Sequence, residues 1–270
     1  ELARQFARDG ARTILCVGGD GTANEVVNGL IAGEGPINPN TRLALLPCGT
    51  GKDLARTLGT RDLASMLRAL ADGSVAMLDV GRAQYVDGRT GQLATRHFAN
   101  IADAGIGAAT AARINASSKR FGGLASYLTG AVRSIAAYQP WQAIVEVDGE
   151  TVHDGPVGMI VFANGRYFAG GMRVAPEASP RDGRLDIFIL ADVGKRALLT
   201  SLLPRVYLGR HIGRPGVAWR RGVHATVRSS ETLLLELDGE QVGQTPVTVD
   251  ILPRVLPVIA NSDALARWEG

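Results

Sequence analysis

The chain has 270 residues, of which 46% are apolar and 20% charged, and its formal net charge is +3. This length and apolar content support a sizeable core and suit one large or two modest domains. No run reaches the roughly 18 uninterrupted apolar residues that a membrane-spanning helix needs, and no signal peptide is recognisable after Glu1. The first residue is not Met and the opening resembles the middle of an amphipathic helix, so we expect a preceding N-terminal piece.

The two cysteines, Cys16 and Cys48, both lie in apolar, strand-like surroundings. Two cysteines cannot form a disulfide framework. We therefore expect buried thiols in a reducing cytoplasm.

Positive charge is concentrated between Lys195 and Arg228, where eight basic residues occur without an Asp or Glu. This stretch either meets an anionic membrane surface, where each basic residue contributes about 1 kcal/mol, or reflects the arginine-rich composition of the chain. Aromatic interleaving and nucleic-acid motifs are absent from the sequence, so we expect no DNA or RNA partner.

Residues 1–80 alternate between helical and strand patterns. Helices are predicted at Leu2–Asp9, Thr22–Ala32, Asp53–Leu58 and Asp62–Asp72, and strands at Thr13–Val17 and Arg42–Leu46. Strands separated by helices are typical of βα units on a parallel sheet. An α/β domain is therefore predicted here.

Residues 81–257 are rich in short β runs punctuated by Asp-Gly and Asn-Gly turns, which indicate hairpins and an antiparallel β-sandwich. The predicted strands are Ala143–Val147, Val157–Ala163, Leu185–Leu190, Ala225–Val227, Leu233–Leu237 and Val247–Ile251, with one helix at Leu124–Ala137. We expect the tail, residues 258–270, to return to the first domain.

A glycine-rich loop, Gly18–Thr22, follows the first strand and precedes a helix predicted to begin near Ala23. Glycines let the backbone approach phosphates, and free N–H groups at a helix start point toward negative charge. The loop matches neither the dinucleotide fingerprint nor the Walker loop. Asp20 would repel a bare phosphate but engage a magnesium-bound one. Taken alone, the loop is equally an ordinary βα turn.

A second loop, Gly49–Gly51, follows the strand Arg42–Leu46 and again precedes a helix. Two strand–loop–helix units close in sequence place their loops at the same carboxyl edge of a parallel sheet, where open α/β sheets bind ligands. The pair therefore favours a shared nucleotide site.

The segment Gly18–Thr22 with Asn24 and Glu25, followed by Pro47–Arg56, resembles the diacylglycerol kinase catalytic domain. This family includes bacterial diacylglycerol kinases and related lipid kinases, such as sphingosine and ceramide kinases. The resemblance runs over essentially the whole chain. Later matches are Asn164-Gly165, Gly170-Gly171-Met172, Ala175-Pro176-x-Ala178, Asp182-Gly183-x-Leu185-Asp186 and Leu237-Asp238-Gly239-Glu240.

The resemblance implies an N-terminal Rossmann-like nucleotide-binding domain, related to NAD kinases, and a C-terminal antiparallel β-sandwich, with a cleft between them. It implies that ATP binds at Gly18, Gly19, Asp20, Gly21, Thr22, Ala23, Asn24, Gly49, Thr50 and Gly51, with Mg²⁺ near Asp20. The family's first strand would lie upstream of Glu1, so we expect part of the ATP site to be absent here.

The sequence departs from the family's pattern at several positions. Lys52 stands where Asn is common and either supplies a cation to the phosphates or is solvated. Ile106 replaces a common Phe, and Gly107 replaces a frequent acidic residue, for which Asp103 is a candidate substitute. The acceptor pocket is therefore the least constrained part of the prediction.

Phosphoryl transfer needs positioning, charge neutralisation and a group that accepts the hydroxyl proton. Glu240 and Asp20 are the candidates. The turn Asp238-Gly239-Glu240 has a second copy in Asp148-Gly149-Glu150, and residue patterns alone do not separate the two. The family resemblance implies that Glu240 is the proton acceptor and that Glu150 belongs to an ordinary turn.

The segment Pro180–Asp186 is a turn before a strand, and by resemblance it binds a structural Mg²⁺. The implied ligands are the Asp182 carboxylate and the carbonyls of Ser179 and Arg184. Hard oxygen donors from a tight loop suit this ion.

The predicted function is an ATP-dependent lipid kinase, which most simply converts diacylglycerol to phosphatidic acid in phospholipid biosynthesis. We expect a cytoplasmic protein that meets its lipid at a membrane surface, and the sequence allows a homodimer. Leu198–Leu203 and Tyr207 either line an acyl channel or form core. The alternatives are an NAD kinase-like enzyme or other soluble-acceptor kinase, and a non-catalytic nucleotide- or lipid-binding protein.

Overall fold

The computed structural model describes residues 1–49, 51–116, 133–191 and 193–269. The chain begins with alternating helices and strands, as the hydrophobic pattern predicts. These elements are α1 (Leu2–Arg8), β1 (Thr13–Gly18), α2 (Asp20–Leu30), β2 (Ile31–Ala32), β3 (Gly35–Pro36), β4 (Arg42–Pro47), α3 (Asp53–Leu58) and α4 (Leu63–Asp72).

Strands β1 and β4 are parallel and in register from Thr13 opposite Arg42 to Gly18 opposite Pro47. Their carboxyl ends therefore lie side by side, and both glycine loops leave the sheet at the same edge. This arrangement confirms what the spacing of the two strand–loop–helix units predicts.

The remainder of the chain is mainly antiparallel. Its strands are β5 (Val75–Asp87), β6 (Leu93–Phe98), β7 (Ile101–Gly105), β8 (Trp141–Val147), β9 (Glu150–Ala163), β10 (Leu185–Ala191), β11 (Val217–Gly222), β12 (His224–Ser229), β13 (Leu234–Leu237) and β14 (Glu240–Ile259). Its helical elements are α5 (Ile106–Ala116), residues 133–137, α6 (Lys195–Ala197), a π-helical turn (Leu198–Leu202), α7 (Leu203–Tyr207) and α8 (Ser262–Glu269). Of the predicted helix Leu124–Ala137, residues 124–132 lie outside the described part.

The longest strand, β14, links the two kinds of structure. It pairs with β5 from Gly243 to Ile259 and with β12 around Val247–Asp250. Near its end, Val258 pairs in parallel with Leu43 of β4. One continuous strand thus carries Glu240 at its start and joins the parallel sheet at its end.

Two hydrophobic clusters correspond to the two regions. One contains Val27, Leu43, Leu58 and Leu78, and Leu265 and Trp268 of α8 pack against it. The other lies between the antiparallel strands and contains, among others, Phe98, Phe162, Ile187, Leu235 and Val249. Among the described residues, no helix combines the length and apolar content needed to cross a membrane.

The structure corrects three expectations. Strands β5, β6, β7 and β11 add to the predicted β runs, and β9 begins at Glu150 rather than at Val157. Helix α2 begins at Asp20 rather than near Thr22. Cys48 is exposed, because it lies one residue beyond β4 in the second glycine loop, whereas Cys16 is buried as expected.

A buried carboxylate, Asp238, connects α2 to the antiparallel strands. It accepts hydrogen bonds from Asn24 Nδ2 at 2.9 Å and from the backbone N–H groups of Ala99, Asn100 and Ile101 at 2.8–3.0 Å. Burial raises the pKa of Asp238, and these four hydrogen bonds oppose that rise. Because donors surround both oxygens, the ionised carboxylate is the form that fits this position.

Replacing Asp238→Asn should lower the free energy of unfolding by about 3 kcal/mol, because one oxygen becomes an NH₂ group that faces buried N–H donors. Urea denaturation monitored by circular dichroism measures the change. The matched control is Asp148→Asn, since Asp148 is exposed and bonds only to the N–H groups of Val223 and His224. Equal losses of unfolding free energy in the two variants would contradict the conclusion that the Asp238 hydrogen bonds stabilise the fold.

Candidate functional site

The two glycine loops touch each other. The Cys48 N–H donates to the Gly18 carbonyl at 2.9 Å, and a Cβ at Gly49 would lie 2.9 Å from the Gly19 Cα. Backbone contact this close requires glycine at position 49, whereas a Cβ at Gly19 would lie an ordinary 3.9 Å from the Gly49 Cα. The two loops therefore meet backbone to backbone at the carboxyl edge of β1 and β4.

Asp20 holds the second loop against the first. Its carboxylate accepts the backbone N–H of Asp53 at 3.0 Å and that of Leu54 at 3.2 Å, at the start of α3. The carboxylate also lies directly over Gly51, where a Cβ would collide with Oδ2. Burial raises the pKa of Asp20, and the two N–H bonds oppose the rise.

Asp53 is a site residue that the sequence analysis missed, although it stands in the motif. It is 4% exposed, and its Oδ2 accepts the Gly170 N–H at 2.7 Å. Burial and the neighbouring charge of Asp20 raise the pKa of Asp53 to about 7. The signal available in the sequence was the position of Asp53 at the first turn of the helix after the second loop.

The pair Asp20 and Asp53 has the donor chemistry of a cation site. Asp53 Oδ1 is buried with no hydrogen-bond partner among the described residues, and its nearest cation is Arg56 Nε at 3.9 Å. Two carboxylates beside an unpartnered oxygen fit a hard divalent cation such as Mg²⁺.

Glu240 reaches the first glycine loop from the antiparallel part of the chain. A Cβ placed at Gly21 would collide with Glu240 Oε1, so the carboxylate lies directly over the loop. The Glu240 side chain is exposed to solvent. The structure thus brings together the two acidic residues singled out from the sequence, Asp20 and Glu240, from positions 220 residues apart.

The two Asp-Gly-Glu turns have the same backbone but different surroundings. Asp148 and Asp238 have φ values of 51° and 50°, and the following glycines also have positive φ. Asp238 is buried against α2, whereas Asp148 is exposed and caps the start of β12. Only the second turn stands at the glycine loops, and Glu150 is exposed at the end of the β8–β9 hairpin.

The other predicted nucleotide-binding residues divide into two groups. Gly18, Gly19 and Gly21 are half-buried, and Thr22 is exposed with its side chain packed over Gly18. Ala23 and Asn24 are fully buried, and Asn24 Nδ2 bonds to Asp238 and to the His97 carbonyl. The Asn24 side-chain amide is therefore engaged inside the protein, by groups of the antiparallel part of the chain. Thr50 lies outside the described residues.

The predicted structural-metal turn packs on Asp79. Asp79 Oδ2 accepts the Gly183 N–H at 2.7 Å, and the Asp79 N–H donates to the Pro180 carbonyl at 2.8 Å. Burial raises the pKa of Asp79, and the charge of Asp182 adds to the rise. Asp79 Oδ1 also accepts the Arg254 N–H at 2.8 Å, so Asp79 uses both oxygens to fix the backbone of the turn.

The implied ligands Ser179, Asp182 and Arg184 lie in this one turn, and Asp182 Oδ1 accepts the Arg184 N–H at 3.0 Å. Carboxylate and carbonyl donors suit Mg²⁺. In the described part of the chain, no three His, Cys, Asp or Glu side chains cluster to hold a metal ion by themselves. Any ion at this turn would therefore depend on carbonyl oxygens and water.

An apolar cavity of about 120 Å³ lies between antiparallel strands and the helical residues 198–206. The turn between Phe168 and Met172 lines the cavity, and its Gly170 N–H binds Asp53. Other lining side chains are Ile106, Val161, Phe188, Leu198, Leu202, Leu203 and Val206. The cavity and the cation site thus share one turn, and Leu198, Leu202 and Leu203, left open by the sequence, face the cavity.

Comparison with known families assigns both parts of the chain. Residues 1–83 match the diacylglycerol kinase catalytic domain. Residues 100–260 match the YegS C-terminal NAD kinase beta sandwich-like domain. Together the two matches span nearly all of the chain.

Relatives carry the same assignment in their names. The diacylglycerol kinase of Bacillus subtilis (strain 168) is 30% identical over 241 residues, which cover 86% of this chain and 72% of the relative. The diacylglycerol kinase of Staphylococcus carnosus (strain TM300) is 26% identical over 253 residues, which cover 93% of this chain and 77% of the relative.

Solved structures share the fold. A diacylglycerol kinase from Bacillus anthracis str. Sterne has a TM-score of 0.68 and 21% identity, covering 97% of this chain and 82% of that chain. Yeast NADH kinase in complex with NADH has a TM-score of 0.54 and 11% identity, covering 98% of this chain and 67% of that chain. The family matches and the relative at 30% identity show that the chain belongs to the diacylglycerol kinase catalytic-domain family.

Proposed function

We propose that this protein transfers the γ-phosphoryl group of ATP to the hydroxyl of a lipid, with diacylglycerol as the first candidate and phosphatidic acid as its product. The observation that carries the proposal is the contact between Glu240 and Gly21. A carboxylate from one part of the chain stands over a glycine loop of the other, and the turn that binds Asp53 also lines an apolar cavity.

The residues divide the work of phosphoryl transfer. Backbone N–H groups of the paired loops bind the phosphates, with α2 directing its N-terminal end toward them. Asp20 and Asp53 would hold Mg²⁺, which neutralises charge on the phosphates. Glu240, whose side chain is exposed at the first glycine loop, accepts the proton of the attacking hydroxyl. The Asp182 turn would hold a second, structural Mg²⁺ against Asp79.

Replacing Glu240→Gln should lower kcat by about 100- to 10,000-fold, because the amide cannot accept the hydroxyl proton. The KM for ATP should change little, since the loops bind the phosphates through their backbone. Steady-state kinetics with radiolabelled ATP and diacylglycerol micelles measure both constants.

The matched control for this variant is Glu150→Gln, which makes the same change in the other Asp-Gly-Glu turn. It should leave kcat unaltered. Full activity in the Glu240→Gln variant would remove Glu240 from the role of proton acceptor.

The apolar cavity supports a lipid as the acceptor. Its described lining consists almost entirely of aliphatic and aromatic side chains, and it adjoins the turn that binds Asp53. A soluble, charged acceptor such as NAD would gain little from an apolar surface. An acyl chain would bury its methylene groups there, with a favourable free energy of about 0.8 kcal/mol for each group.

Enlarging a cavity residue should impair lipid binding selectively. Val217 is half-buried at the cavity wall, so Val217→Phe should raise the KM for diacylglycerol on the order of tenfold without changing the KM for ATP. Val223→Phe, at an exposed position of the same region, is the control. Equal effects on both KM values would indicate general misfolding and argue against the cavity as the acyl site.

We further propose that the protein works from the cytoplasm and docks on an anionic membrane through the segment 203–214. Arg210, Arg214, Tyr207 and Leu208 are exposed there, and α7 also lines the cavity. The basic stretch predicted from the sequence is not one surface. Arg221 and Arg228 are bound in ion pairs to Asp186 and Glu146.

Reversing two of these charges should weaken membrane binding. The double substitution Arg210→Glu/Arg214→Glu should lower co-sedimentation with phosphatidylglycerol-containing vesicles by more than about tenfold, and high salt should weaken wild-type binding. Arg12→Glu/Arg89→Glu, exposed elsewhere, is the control. Identical losses in both variants would exclude segment 203–214 as the docking surface.

A further inference from the structure

Two carboxyl side chains face each other in the interior, away from the proposed cation sites. Asp103 of β7 and Glu236 of β13 are directly opposite in an antiparallel pair. Asp103 is 0% exposed and Glu236 is 3% exposed. Neither residue has a part in the proposed phosphoryl transfer, so their burial calls for another explanation.

The surroundings of this pair contain acidic and apolar groups. Asp103 is opposite Val161 of β9, Glu236 is opposite Gln241 of β14, and α5 presents Ala108. Among the described residues, the other charged group acting on the pair is Asp238. Two carboxylates in a dry interior without a nearby cation cannot both be ionised, so one proton must remain between them.

Each carboxyl group also accepts a hydrogen bond from a backbone N–H group, one beside the apolar cavity and one in the turn that carries Glu240. Asp103 Oδ1 accepts the Ala108 N–H at 2.9 Å, and the same carboxylate lies against Gly107, which lines the apolar cavity. Glu236 Oε1 accepts the Gly239 N–H. A continuous chain of contacts therefore runs from the cavity wall through the carboxyl pair to the turn that bears Glu240.

We infer that Asp103 and Glu236 share one proton and act as a positioning pair that holds the Glu240 turn over the first glycine loop. The inference rests on the role proposed for Glu240. With the proton in place, Glu236 donates to Asp103 and still accepts from Gly239. Loss of the proton places two negative charges in contact, and their repulsion displaces the acceptor of the Gly239 N–H.

The shared proton predicts how the free energy of unfolding changes with pH. Burial raises the pKa of Asp103 to about 6, and burial together with the charge of Asp103 raises that of Glu236 well above its usual value. The folded state therefore keeps a proton that the unfolded state releases. This stabilisation is complete below the unfolded pKa of about 4 and is lost as the pH rises through the folded values.

The decisive variant is Glu236→Gln, whose amide can donate to Asp103 and accept from Gly239 without titrating. The melting temperature of the wild type should fall from pH 6 to pH 9 relative to that of Glu236→Gln. Glu146→Gln is the matched control, because Glu146 occupies the same place in the other turn but is half-buried and paired with Arg228. Parallel pH curves for wild type and Glu236→Gln would overturn the shared proton.

The positioning role is tested by hydrogen exchange and kinetics together. Glu236→Ala should increase amide exchange in residues 237–241 and lower kcat at least tenfold with the KM for ATP unchanged, and Glu236→Gln should restore both. The positioning role would be overturned if Glu236→Ala exchanged its amides at the wild-type rate. It would also be overturned if Glu236→Gln were as impaired as Glu236→Ala.

Exchange and melting temperature do not require turnover. An absence of transfer to any lipid by the wild type would therefore defeat the proposed function without deciding the fate of the pair. If Glu236→Ala does not fold, the test is amide hydrogen exchange of residues 237–241 in Glu236→Gln at pH 9. It should stay at the pH 6 level while wild-type exchange rises, and a rise in both would overturn the inference.

Discussion

The carboxylate of Asp238 accepts four hydrogen bonds in the interior, one from Asn24 and three from consecutive backbone N–H groups at residues 99–101. The Asn24 bond joins positions 214 residues apart. It ties the helix that follows the first glycine loop to the turn that carries Glu240. The bond thereby helps to fix the distance between the loop and the proposed proton acceptor, whose own side chain is exposed.

Two pairs of acidic side chains lie near this hydrogen bond, in two different environments. Asp20 and Asp53 stand at the paired loops, where two backbone N–H bonds and an unpartnered oxygen suit them to a bound cation. Asp103 and Glu236 stand in a dry interior, where a retained proton takes the place of a cation. The same repulsion between carboxylates thus has two proposed consequences, according to whether the backbone of the glycine loops or apolar side chains lie nearby.

Much of the site could be predicted from the sequence because its elements are local. A strand, a glycine turn and a helix start within ten residues define each loop, and the parallel register of β1 and β4 follows from the βα connections. The Asp-Gly turns could also be placed, since positive φ at Asp148 and Asp238 is a local property. Their difference was not local, because it depends on which turn packs against α2.

The parts that escaped prediction depend on contacts between distant segments. Burial and the charge of Asp20 raise the pKa of Asp53, and the Gly170 N–H bond opposes that rise; neither Asp20 nor Gly170 adjoins Asp53 in sequence. Asp103 was recognised as a candidate, but its partner Glu236 appears only in the pairing of β7 with β13. Cys48 looked buried because its neighbours are apolar, yet it lies beyond the end of β4 and is exposed.

The most direct test of the account is the fate of the γ-phosphoryl group. The protein would be incubated with ATP labelled at that position, with diacylglycerol micelles in one reaction and NAD in another. The account predicts label in phosphatidic acid and none in NADP. Label in NADP alone would contradict the proposed function, because the apolar cavity would then have no part in binding the acceptor.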